Sequence, residues 1–282
     1  MDKVMDKTMG LRAGVLSLVI FLFLLAIWHS ATVSNDKPGA ALTEYEQLQG
    51  KSAKKNDGLP TPMQMAQTVK KHLSDPFYDK GPNDKGIGIQ LAYSLARVMG
   101  GFLLAALVAI PVGFMIGMSP LLYRALDPFI QVLKPISPLA WMPLALYTIK
   151  DSATSSIFVI FICSVWPMLI NTAYGVAAVR RDWLNVARTL EVSVMRKAFL
   201  VILPAAAPTI MTGMRISMGI AWLVIVAAEM LVGGTGIGYF VWNEWNNLSL
   251  TNVIFAILMI GVVGMALDLM FGMLQKLVTY VE

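Results

Sequence analysis

The sequence predicts an all-α protein that crosses a membrane about six times, and three observations carry that prediction. The chain of 282 residues is 57% hydrophobic and only 14% charged, where a soluble domain would carry roughly one quarter charged residues. Several apolar windows reach the roughly 20 residues a helix needs to cross a hydrocarbon core. The basic residues are also unevenly placed: Arg180, Arg181, Arg188, Arg196 and Lys197 share one loop, whereas residues 233–251 contain no Lys or Arg.

The first apolar stretch, residues 11–28, follows Lys3, Lys7 and Arg12 and reads as a signal peptide or as an uncleaved first helix. The residues after it, His29 to Ser34, make a poor cleavage site, which favours an anchor over residues 1–30. Residues 31–90 are polar, with five prolines and eight lysines, and show apolar periodicity only at 63–73. They predict an extracytoplasmic linker carrying one short amphipathic helix. Its Gly50-Lys51-Ser52 is no phosphate loop, because Tyr45 stands where the first glycine belongs and no strand precedes it.

Five further spans are predicted at 91–118, 128–149, 156–179, 203–232 and 252–274, within a core of residues 91–282. Pro111, Pro135, Pro138 and Pro143 break or kink the second and third of the six, either as helices of a moving gate or as tolerated kinks. Six spans place both termini on one side. The basic loop at 180–197 makes that side cytoplasmic, and the lysines of the linker do not oppose this because long segments translocate largely regardless of charge.

Other function classes find little support. The net charge of +5 is scattered, with no basic run interleaved with aromatic residues, so no nucleic-acid partner is expected. Cys163 has no partner for a disulfide within the chain. His29 and His72 form no HExxH, and no serine or cysteine has a base nearby in sequence, so neither a metal site nor a catalytic residue is predicted.

Residues 182–204, between two of the most apolar segments, read as one amphipathic cytoplasmic helix. Trp183, Val186, Ala187, Leu190, Val194, Ala198 and Val201 share a face at a period of 3.6, Asp182 caps the start, and Pro204 ends the hydrogen-bond ladder. Periodicity alone leaves two readings, a helix lying on lipid headgroups and a helix docked to a partner.

Spacing adds a resemblance. Asn185-Val186-Ala187, then Glu191, then Val201-Ile202-Leu203-Pro204 resembles the EAA loop of binding-protein-dependent ABC importers, with Asn185 and Glu191 standing where that loop has Glu and Gly. The stretches SLARVMGGF at Ser94, KPISPLAWMPLAL at Lys134, LPAAAPTIMTGMRISMGIAWLVIVAAEML at Leu203 and GGTGIGYF at Gly233 are similar to permeases of nitrate, taurine and alkanesulfonate importers. DPFYDKGPNDKGIGIQL at Asp75 and IFVIFICSVWPMLINTAYGV at Ile157 look most like nitrate permeases, including those whose relatives carry bicarbonate or cyanate.

The resemblance implies a type I ABC importer permease fold in a bacterial inner membrane and a second permease copy. It also implies two ATP-binding cassette subunits that hold ATP and magnesium, and an extracytoplasmic solute-binding protein. It makes residues 182–198 the coupling helix, with Trp183, Asn185, Val186, Ala187, Arg188, Leu190 and Glu191 toward the ATPase. Trp242, Trp245 and Tyr239 would then anchor the outer interface or help receive the binding protein.

Charges within spans are costly and hence informative. Arg97 and Glu229 fall near the outer ends of their spans. Arg215 lies about 16 Å above Pro204 at the helical rise, near mid-membrane, with Asp268 at similar depth. Each arginine has two readings: a guanidinium that offers donors to a planar anion on the path, or one half of a structural pair, Arg97 with Glu229 and Arg215 with Asp268. The pairs are favoured, because an unpaired arginine in lipid costs at least about 3 kcal/mol. Asn171, Trp166, Thr212, Ser217 and Trp222 complete the candidates for lining a mostly uncharged path, each also a residue of ordinary helix packing.

Overall fold

The computed structural model describes residues 2–33, 59–81 and 84–278. In chain order the α-helices are α1 (Asp2–Val33), α2 (Pro62–Ser74), α3 (Ile87–Met118), α4 (Pro120–Leu133), α5 (Pro138–Ile149) and α6 (Ser152–Ala177). There follow α7 (Arg181–Thr189), α8 (Val194–Lys197), a π-helical turn (Ala198–Ile202), α9 (Leu203–Val232), α10 (Ile237–Asn246) and α11 (Leu250–Val278). Among the described residues the only β pairing is the isolated bridge Asp79–Lys85, closed by an ion pair of 3.1 Å that holds the Asp79 carboxyl below its usual range. Much of the predicted linker, residues 34–58, lies outside the described residues.

The chain divides into two compact units, residues 1–75 with 244–255 and residues 76–243 with 256–282. In the first unit most of the described apolar side chains of α1 stay exposed, as at Leu16, Val19 and Phe23, with Leu25 and Trp28 half-buried, and such exposure is what a helix solvated by lipid presents. The predicted short helix forms as α2. Thr61 Oγ1 accepts from the Gln64 amide and Gln64 Oε1 accepts from the Thr61 amide, a capping box that satisfies two N-terminal donors, with Pro62 at the first turn. His72 at its far end stacks on Phe255 at 4.7 Å and lies 3.3 Å from Asn252 Oδ1.

In the second unit α6 packs along α3 and α9, and α5 lies against α6. Glycines let these backbones approach: a Cβ on Gly113 would meet the Leu169 carbonyl oxygen at 2.6 Å, and one on Gly213 the Pro167 carbonyl oxygen at 3.0 Å. Asp151 caps α6, accepting from the Thr154 hydroxyl at 2.6 Å and the Thr154 amide at 2.7 Å, and these bonds hold its carboxyl below the usual value.

Two predicted elements are corrected. Residues 128–149 do not form one straight helix: α4 and α5 meet at 90°, a broken span or a re-entrant loop. Pro135 lacks the amide that would continue α4, and Pro138 opens α5 after Ser137 in an extended conformation, so the ladder stops at residue 134 and restarts in a new direction.

Residues 182–204 are likewise not one helix ended by proline. The helix stops at Thr189 and resumes at Val194, then runs through Pro204 into α9. A π turn makes that passage possible. The Leu203 amide bonds back to the Ala198 carbonyl, and this wider turn accommodates Pro204, whose ring clashes with the carbonyl four residues back in a regular α-helix.

Candidate functional site

The first feature is α7, at the end of the bundle where α9 begins. It closes with a Schellman motif, in which the Val192 amide donates to the Ala187 carbonyl and the Glu191 amide to the Arg188 carbonyl, both at 3.0 Å. That motif requires a left-handed residue, and Glu191 supplies it at φ 51°. This is the position of the usual glycine in the EAA loop, so the departure seen in the sequence carries a backbone cost of about 1 kcal/mol.

The break also moves the helix face. Ala187, expected on the docking face, is buried at 4% exposure, and Leu184 packs against a cluster of Val176, Val179, Ile202, Ala206 and Ile210. Trp183, Val186 and Leu190 are instead turned outward at 41%, 59% and 70% exposure, with Asn185, Arg188 and Glu191 also exposed. Arg180 lies 5.9 Å over the Trp183 ring. An exposed apolar strip on a charged helix outside the spans is a surface without its cover.

At the other end of α9 the loop before α10 is tied down by a buried polar cluster. Arg97 Nη1 donates to Glu229 Oε1 at 2.7 Å and to the Thr235 carbonyl at 2.6 Å. Ser94 Oγ donates to the Glu229 carboxylate and accepts from the Ile237 amide at 2.9 Å, while the Gly236 amide donates to Gln90 Oε1 and the Gly238 amide to Glu229 Oε2. Glu229 is 1% exposed and accepts from an arginine, a hydroxyl and an amide, so its charge is compensated. A Cβ on Gly236 would overlap the Glu229 carboxylate, which explains a glycine here better than the simple need for a tight turn.

The third feature lies between α9 and α11. Their backbones do not pack closely, and side chains bridge them in antiparallel rungs. Thr212 Oγ1 accepts from Gln275 Nε2 at 2.9 Å, Arg215 donates through Nε and Nη2 to the two Asp268 oxygens at 2.7 and 2.6 Å, and Trp222 Nε1 donates to the Ile260 carbonyl at 3.0 Å. Between the second and third rungs the helices present Gly219, Gly261 and Gly264, and a chamber of about 400 Å³ opens there.

Both ion pairs anticipated from depth therefore form. Arg215 and Trp222 line the chamber, whereas Arg97 and Glu229 belong to the loop cluster. Ser217 is buried and donates to the Ser164 carbonyl across the α6–α9 contact at 2.7 Å, and Asn171 donates to the Pro167 carbonyl of its own helix. These positions do not converge on one point. Gln90, Ser94, Gln275 and the chamber glycines escaped the sequence reading, whose one available signal was glycine inside two otherwise apolar spans.

Residues 109–280 match the family described as binding-protein-dependent transport system inner membrane component. The chain belongs to this family. The permease is 46% identical over 224 residues to the nitrate import permease protein NrtB of Synechocystis sp., covering 79% of this chain and 82% of the relative. It is also 46% identical over 207 residues to the bicarbonate transport system permease protein CmpB of the same organism, covering 73% and 74%. The inward-facing MetNI methionine ABC transporter shares the fold, with a TM-score of 0.60 at 14% identity over 67% of this chain and 94% of that one. The permease is thus a multi-pass inner-membrane transport component with a type I importer fold, not an enzyme, and the family works with a solute-binding protein and ATPase subunits.

Proposed function

We propose that this permease imports a small planar anion, nitrate first and nitrite with it, from a solute-binding protein to the cytoplasm. The observation that carries the substrate is the likeness to NrtB over four fifths of the chain. Bicarbonate is the second reading, because CmpB matches at the same identity over a somewhat shorter stretch.

In this reading both termini and α7 are cytoplasmic, two identical copies form the pore, and each sits on one ATP-binding cassette subunit that holds ATP and magnesium. Trp183, Val186 and Leu190, with Asn185, Arg188 and Glu191 around them, enter a groove of that subunit; the exposure of three large apolar side chains supports this. Ala187 holds α7 against the bundle from behind. Closure of the ATPase pair moves α7 as a rigid body, and the spans alternate between outward and inward openings. ATP drives the cycle insofar as the two states bind nucleotide differently. Arg215 and Trp222 form the path wall, and Arg97 and Glu229 fix the outer loop near the binding protein.

Isotope uptake by the reconstituted complex, with nitrite, bicarbonate, cyanate and taurine as competitors of nitrate, tests the substrate. Uptake that nitrite reduces at least tenfold and taurine leaves unchanged is the expected result. Competition by taurine alone would overturn the anion while leaving the permease reading intact.

A further inference from the structure

Gly219 and Gly261 face the α9–α11 chamber, and among the described residues a Cβ at either would meet no atom within 4 Å beyond its own stretch of helix backbone. Glycine weakens a helix relative to alanine, and here no neighbouring backbone presses close enough to require it. What the two glycines provide is room. Among the described residues Arg215 and Asp268 are the only charged ones lining that room; the other walls are apolar side chains such as Met218, Leu223 and Val226. The pair is not sealed by this chain, with side-chain exposures of 39% and 55%. Near mid-membrane such a pair must face water or protein, because lipid would expel it.

The bond pattern of the pair is specific. Asp268 occupies Nε and Nη2 of the Arg215 fork with its two oxygens, the planar two-oxygen match that a guanidinium makes with a carboxylate. Nitrate and bicarbonate present the same motif, two oxygens in one plane sharing a negative charge. We propose that the chamber is the anion's station in this chain and that Asp268 is a built-in competitor for the Arg215 fork. A planar oxyanion entering the chamber replaces the Asp268 carboxylate donor for donor, and Asp268 returns to the fork to expel it.

This exchange answers two demands at once. Arg215 never stands uncompensated in the membrane, and the anion is held by a charged fork without being trapped by it. Trp222 stays out of the exchange, since its Nε1 is committed to the Ile260 carbonyl, and it forms the wall opposite the fork.

The proposal rests on the reading of the protein as a permease for a planar anion, and its test separates the two. The whole complex, purified without nucleotide or binding protein, is dialysed against labelled nitrate, and uptake is measured in liposomes. Asp268→Asn removes the competitor and leaves the fork, so nitrate retention should rise at least tenfold while uptake falls at least tenfold. Gly219→Leu narrows the chamber while keeping both partners of the pair, and should abolish retention and uptake in a complex that still assembles.

Equal retention by wild type and Asp268→Asn, or wild-type uptake by Gly219→Leu, overturns the proposal. If Asp268→Asn fails to assemble, Gly219→Leu decides alone. If the wild-type complex carries a different anion, the nitrate reading fails, and the same two variants dialysed against the carried anion decide the role of Asp268.

Discussion

Glu191 shows how one residue can look like a mere departure in sequence and gain a physical meaning in structure. Its φ of 51° places a side chain where the Schellman motif favours glycine, and its amide still makes the required bond to Arg188. Two substitutions separate its backbone role from its surface role. Glu191→Gly should stabilise the permease by about 1 kcal/mol, read as a higher thermal midpoint of the purified protein in detergent. Glu191→Arg keeps the backbone conformation and reverses the charge, so it should leave the midpoint near wild type and lower the transport-coupled ATPase of the complex in liposomes. Wild-type coupling in that variant would remove Glu191 from the ATPase contact. Arg97, Glu229, Arg215 and Asp268 were legible by the simpler rule that a charge in a span needs a partner at its own depth. The amides of Gly236, Ile237 and Gly238 that complete the Glu229 cluster were not, because nothing local in the sequence says which loop lies over which helix.

At the scale of elements, the capping box of α2 and the long apolar spans could be read directly, since a cap needs residues within one turn and a span only its own length. Of the two breaks, the first was legible as a break or kink at Pro135 and Pro138, whereas nothing local marked the stop at Thr189. Prolines at 135 and 138 turn α4 from α5 by 90°, yet Pro111 and Pro167 sit inside α3 and α6 without ending them. A proline breaks a helix where no neighbour holds the chain straight, and that depends on packing. The π turn before Pro204 has a mechanical consequence. It adds one residue to a turn and so sets the rotation of α7 and α8 relative to α9. Pro204→Ala removes the clash that the π turn relieves. Relaxation to a regular helix would rotate the α7 side by about 100°. The expected outcome is a folded permease with reduced ATP-coupled uptake, and uptake at the wild-type rate would show that the π turn persists without the proline.

For the whole molecule, the uneven basic residues make a prediction about orientation. In the proposed reading, the cluster at 180–197 and its absence at 233–251 put α7 and both termini on the cytoplasmic side. A fluorescent protein fused after Glu282 should therefore fold and fluoresce in cells, whereas a periplasmic phosphatase at the same point should stay inactive. The reverse pattern would move α7 to the outer side and end the coupling assignment.

Composition, span length, charge placement and capping are properties of a chain against its solvent. By themselves they determined an all-helical membrane protein, its five long apolar helices, the short helix at 62–74 and the depth-matched pairs. Tertiary structure alone decided which prolines break a helix, that Ala187 faces inward while Trp183, Val186 and Leu190 face outward, and that α9 and α11 stand apart around a chamber. The physical reason is range: hydropathy and caps act over a turn or a span, whereas a cavity or a docking face exists only once residues distant in sequence settle which of them touch.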